Sequence, residues 1–148
     1  MTSTHKILAF HLKRQAFIYI RQSSQAQVEN HRESQRCQLQ LADLAKSYGW
    51  NDPVVLSEDL GISASGCHHR ADFESLTTAV CQEQVGIILS FDVSRLARNG
   101  REWSRLLEFC HVTHTLLGDF QGIYDPKLNA DDRLVLGLKG TLSEVELE

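Results

Sequence analysis

The sequence predicts an α/β protein whose central sheet, mostly parallel and of about four to five strands, is flanked by helices. Three observations carry that prediction. The run VGIILSF, Val85 to Phe91, is almost continuously apolar over a strand's length, as expected of a strand covered on both faces. A second apolar run, AFIYI, opens the ordered part of the chain, and amphipathic helical patterns separate the short apolar runs that follow. A chain of 148 residues is long enough for one compact domain and short for two.

Residues 1–15 (HKILAFHLKR and its flanks) mix charge with scattered apolar positions and predict no firm element, only an extension packed over the domain or partly mobile. The first strand is expected over Ala16 to Arg21, followed by a polar loop, SSQAQVENHR, of the kind that carries function. From Glu33 to Tyr48, the spacing of Cys37, Leu41, Leu44/Ala45 and Tyr48 predicts an amphipathic helix closed by Gly49. A short strand, Val54 to Leu56, leads into SEDLGISASGCHHR, a stretch of turn formers without period and a second candidate functional loop. Ala71 to Gln84 forms the second helix, with Phe73, Leu76 and Val80 on one face, and Val85 to Phe91 the central strand. Arg101 to Val112 is a third helix and His114 to Phe120 a fourth strand with Gly118 inside it. The βαβαβαβα order implies a doubly wound sheet with its pockets at the carboxyl ends of the strands. A last helix from Asp131 to Glu148 carries a stripe of Leu134, Leu138, Leu142 and Val145, broadened by Val135 and Leu136, which suits a subunit interface better than plain core packing. It reaches the final residue without a capping glycine, as a longer helix cut by the boundary would.

Composition narrows the function. The 42% hydrophobic and 23% charged content, with no apolar run of about 20 residues and no signal peptide, predicts a cytosolic protein without a membrane partner. The four cysteines, Cys37, Cys67, Cys81 and Cys110, form no C-x-x-C pair and are expected reduced and mostly buried. A net charge of −4 excludes whole-surface attraction to nucleic acid, so any DNA contact has to come from a local arginine cluster or from sequence beyond this segment.

The arginines fall in a pattern. Within YIRQSS, Arg21 and Ser23 are two apart and share a face at the end of the first strand. Arg70 ends the long loop before the second helix, and Arg95 and Arg98 follow the central strand in FDVSRLARN. On the predicted fold, three loops deliver four guanidinium groups and a hydroxyl to one sheet edge. Guanidinium forks stabilise the charge that builds on a phosphodiester under attack by an alcohol, with no metal required. No cofactor is expected, since there is neither a Walker lysine loop nor a paired-metal motif. Ser24, the nearest rival to Ser23, alternates to the face opposite Arg21. Cys67, His68 and His69 lack the partners of a closed zinc site, and no G-x-S-x-G elbow surrounds Ser23.

From Ala16 to Glu148 these residues resemble the catalytic domain of the serine recombinases, the resolvase and invertase family, with a flavour closer to its large and transposon-associated members. The resemblance rests on Tyr19, Arg21 and Ser23 as Y-x-R-x-S; Gln38 in ESQRCQ; Ser65 and Gly66 followed by Arg70; R-L-x-R as Arg95 to Arg98; and the long helix beginning near Asp131. It implies an N-terminal extension over 1–15, a resolvase-like catalytic domain over 16–130, and the start of an oligomerisation helix over 131–148, with the DNA-binding region absent. It implies Ser23 as the nucleophile of DNA cleavage and rejoining, with Arg21, Arg70, Arg95 and Arg98 on the phosphate. Gln38 and Ser65 would be supporting contacts, and Tyr19 would pack beneath the site. Its implied partners are DNA, reached through the full-length protein, and further copies of the chain, as homodimers pairing into a tetramer. The chain departs from the family at Ser94, which stands where most members have aspartate, with Asp92 two residues earlier. A non-catalytic flavodoxin-like module that binds an anion, a nucleotide or a partner protein, or a catalytically silent recombinase paralogue, is the alternative reading.

Overall fold

The computed structural model describes residues 4–20, 27–57, 71–93, 96–97 and 100–147. After a 3₁₀ turn at Thr4–Lys6, the elements are α1 (Ala9–Lys13), β1 (Gln15–Tyr19), α2 (Gln27–Tyr48), β2 (Val54–Leu56), α3 (Ala71–Cys81) and β3 (Val85–Leu89). There follow α4 (Gly100–Thr113), β4 (Leu116–Asp119), β5 (Gly122–Tyr124) and α5 (Ala130–Leu147). One sheet in the order β2-β1-β3-β4-β5 joins all five strands, parallel except for β5, which pairs antiparallel with β4. The expected α/β architecture is thus observed, with VGIIL at its centre.

Alternation along the strands builds two cores. Phe17 and Tyr19 of β1, Ile88 of β3 and Leu117 of β4 point to one face, where they meet Phe73, Leu76 and Val80 of α3, Trp103, Leu106 and Cys110 of α4, and Leu136 of α5. Ala16, Ile18, Ile87, Leu89 and Leu116 point to the other face and meet Leu41 and Ala45 of α2 and Trp50. The inner strands therefore read as continuous apolar runs because both of their faces are buried.

Several expectations need correction. Residues 1–15 do hold an element, α1, a five-residue helix that is too short to stand alone. Tertiary bonds hold it. The Leu8 N–H donates to His11 Nδ1 at 2.9 Å, so the neutral His11 ring carries its proton on Nε2 and donates to the His114 carbonyl at 2.9 Å. Trp50 Nε1 donates to the carbonyls of His11 and Arg14, and Arg14 donates to Thr113 O at 2.8 Å. Lys6 completes the strap with an ion pair to Asp132 at 2.7 Å and a hydrogen bond to Ile123 O at 2.8 Å.

The polar stretch expected as a loop before Glu33 is helical from Gln27. Glutamine, glutamate and arginine are good helix formers, and apolar periodicity does not register them. Beyond β4, a tight turn at Phe120 and Gln121 adds β5, a strand of three residues and so below the length at which alternation is legible. Among the described cysteines Cys110 is buried, Cys37 half-buried and Cys81 exposed, so burial is not the rule. Among the described side chains the stripe on α5 divides: Leu136 enters the core, while Leu134 (65% exposed), Val135 and Leu138 (56%) face outward; the side chains of Leu142 and Val145 lie outside the described part.

Candidate active site

The four parallel strands end at one edge of the sheet. Tyr19 is in register with Leu56, Ile18 with Leu89, and Leu89 with Gly118, and two further bonds, Ile20 N to Leu56 O and Ser90 N to Gly118 O, carry the pairing one step past the strands. The segments that hold the candidate residues leave from this edge or return to it. Arg21 and Ser23 follow β1, Ser65 and Arg70 lie between β2 and α3, and Ser94, Arg95 and Arg98 lie between β3 and α4. These seven residues fall outside the described part of the chain, as do Ser24, Cys67, His68 and His69.

What brackets them is described. Tyr19, two residues before Arg21, is 2% exposed, and its ring meets that of Phe73, three residues after Arg70, edge-on at 5.8 Å between centroids. Leu96 and Ala97, which separate Arg95 from Arg98, are buried in the same cluster as Tyr19 and Phe73. Described apolar neighbours of all four arginines therefore belong to one buried cluster on that face of the sheet. Tyr19 itself is part of that buried cluster. Gln38 is half-buried on α2, at helical spacing from the buried Leu41 and Ala45 that face the opposite core. Asp92 is half-buried between exposed Phe91 and buried Val93.

Comparison with known proteins fixes the kinship. Residues 16–148 match the family described as "Resolvase, N terminal domain". The chain belongs to that family. A relative in Sinorhizobium fredii, named "Uncharacterized protein y4bA/y4pH", is 45% identical over 146 residues; the match covers 96% of this chain and 21% of that protein, so the chain spans about a fifth of its relative's length. Among solved structures, a resolvase family site-specific recombinase from Streptococcus pneumoniae superposes with a TM-score of 0.59 at 20% identity, covering 90% of this chain and 87% of that one. The N-terminal catalytic domain of TP901-1 integrase gives 0.60 at 18% identity, covering 90% and 96%. The C-terminal catalytic domain of ISC1926 TnpA, an IS607-like serine recombinase, gives 0.57 at 22%, covering 82% and 76%. These three likenesses concern the fold. The strap formed by residues 4–14 precedes the matched region.

In this resolvase-family domain the carboxyl edge holds a residue that sequence reading passed over. Asp119 ends β4 and is 2% exposed. Its Oδ2 accepts from the Val93 N–H at 3.2 Å, its Oδ1 from the Gln121 N–H at 2.9 Å. The available signal was an acid closing the apolar run LLGD, which calls for a specific partner at such a depth. Ser90, at the end of β3, is also buried, and its Oγ has no hydrogen-bond partner among the described residues. Tyr124 lines the neighbouring strand, and burial, followed by the charges of Asp119, Asp132 and Asp92, pushes its hydroxyl up to about 12. It stays protonated at neutral pH.

Proposed function

We propose that this domain is the catalytic part of a site-specific serine recombinase that cuts and rejoins DNA. Ser23 attacks a backbone phosphate: the Ser23 Oγ–P bond forms, the P–O3′ bond breaks, and the departing 3′ oxygen takes up a proton. The products are a 5′-phosphoserine linkage and a free 3′-hydroxyl. Arg21, Arg70, Arg95 and Arg98 bind the phosphate and balance the charge that grows on its non-bridging oxygens. Attack by the 3′-hydroxyl of a second end reverses the step, and the phosphoserine conserves the bond energy, so no ATP, metal or other cofactor is consumed. Ser65 and Gln38 support the phosphate contacts, and Ser94 occupies the place of the family aspartate with Asp92 nearby.

The observation that carries this reading is the convergence of Tyr19, Phe73, Leu96 and Ala97 in one buried cluster. Each of these residues stands within three positions of one of the four arginines in the chain, which supports their meeting at one site. The exposed face of α5, with Leu134, Val135 and Leu138, supplies a surface for a second copy, as assembly into dimers and tetramers requires. Residues 1–148 carry a net charge of −4, so on their own they bind DNA weakly at ordinary salt.

The deciding experiment incubates the full-length protein with DNA carrying the ends of its own element, denatures the mixture and looks for protein joined to 5′ ends. An adduct that disappears in Ser23→Ala is the expected result. Intact protein that forms no adduct on verified cognate ends favours the silent paralogue or the anion-binding module.

A further inference from the structure

We propose that Asp119 is a positioning residue for the arginine-bearing segment after β3, an inference that rests on the recombinase reading above. β3 ends at Leu89, and its pairing with β4 continues only through Ser90 N to Gly118 O. Phe91 then turns outward, 65% exposed, and Asp92 is half-buried. The next fixed point is Val93, fully buried, whose N–H is held by the Asp119 carboxylate. The Leu96 N–H donates to Val93 O at 3.2 Å, and Leu96 and Ala97 are themselves buried. Arg95 and Arg98 flank this Leu-Ala pair in the chain.

Asp119 thus acts where the chain leaves the sheet and before it reaches the first of the two arginines. A carboxylate accepting a backbone N–H makes a charge-assisted bond, stronger and more directional than a neutral one. Its second oxygen is committed to Gln121 N in the turn between β4 and β5. The same side chain therefore ties the arginine segment to a tight hairpin, and both oxygens are engaged. Apolar burial alone fixes how deep Val93 sits; the hydrogen bond adds direction. A phosphate clamp needs that direction, because misplacing a reacting group by about 1 Å costs up to roughly 100-fold in rate.

The test uses full-length protein with Asp119→Asn and Asp119→Ala. Asparagine keeps the shape of aspartate but has a single acceptor oxygen, so one of the two N–H groups loses its partner. Single-turnover formation of the Ser23 adduct is measured at saturating cognate DNA, below the unfolding temperature of every variant. Amide hydrogen exchange is followed over residues 90–99. The expected result is a roughly 10- to 100-fold slower adduct formation per folded molecule, an unchanged half-saturating DNA concentration, and faster exchange confined to residues 90–99 and the β4–β5 turn. A purely structural role would lower the unfolding temperature and leave the rate per folded molecule as in the wild type. That outcome, or unchanged exchange at Val93, overturns the proposal while leaving the recombinase reading intact. A wild-type protein that forms no adduct removes both together.

Discussion

Replacing Gly140 by alanine tests how α5 is seated. A Cβ at this position would overlap Cδ1 and Nε1 of Trp103, and one at Gly137, a turn earlier on the same helix, would meet nothing within 4 Å. Trp103 has little freedom to yield, being 4% exposed and donating from Nε1 to Leu136 O at 2.7 Å. Both substitutions gain about 1 kcal/mol from helix propensity. At Gly137 that gain stands alone. At Gly140 it is opposed by overpacking, about 1–3 kcal/mol, and by a buried indole N–H stripped of its acceptor, about 1–3 kcal/mol. The net effect at Gly140 is a loss of roughly 1–5 kcal/mol. At roughly 2–4 °C per kcal/mol for a domain near this size, a loss of about 3 kcal/mol lowers Tm by roughly 6–12 °C, and Gly137→Ala raises it by roughly 2–4 °C. Thermal unfolding followed by circular dichroism reads both changes. Gly140→Ala as stable as Gly137→Ala would refute the seating of α5 on Trp103.

Two further outcomes follow from the two ends of the molecule. Burial first of all, then the charges of His114 and Arg14, lowers the pKa of His11 to about 4, against the partial support of its bond to the His114 carbonyl and of the Asp125 charge. The unfolded chain therefore binds a proton that the folded chain refuses, and stability falls as pH drops from about 6.5 towards 4. Asp125 acts lower on the scale. Burial disfavours its ionisation, but hydrogen bonds from His114 and from the Leu128 and Lys127 amides outweigh it and hold its carboxyl below the usual range, so its contribution fades only at still lower pH. Urea unfolding between pH 7 and pH 4 should give a flatter profile for His11→Gln, and an unchanged slope would contradict the assignment. On α5, Leu134→Lys combined with Leu138→Lys places charge on an exposed face. It should weaken self-association of the full-length protein, measured by sedimentation, with Tm unchanged; lost stability with intact association would instead mark the stripe as core.

The sequence by itself determined the architecture and much of its order. Period-two and near-continuous apolar runs locate β1, β2, β3 and β4, and helical spacing locates α2 to α5, because burial on one or both faces writes directly into residue pattern. The Y-x-R-x-S, R-L-x-R and long-helix signals named the family later matched over residues 16–148. Elements whose stability is not their own were illegible. α1 exists because Trp50, Leu8 and the His114 carbonyl hold it, and β5 because a hairpin turn lays three residues against β4.

Only the tertiary structure decided which side of α5 is inside. Its leucines are chemically alike, and Leu136 is buried while Leu134 and Leu138 are exposed because Gly140 lets the Trp103 indole approach on that side alone. Asp119 belongs to the same class. Its place in the sequence shows an acid after an apolar run; its role depends on an amide 26 residues away, brought within 3.2 Å by the pairing of β3 with β4. Residue pattern records what is buried, because burial acts on each side chain separately. Partnership across the chain is set by the fold, because a hydrogen bond depends on the relative placement of two segments that local sequence does not encode.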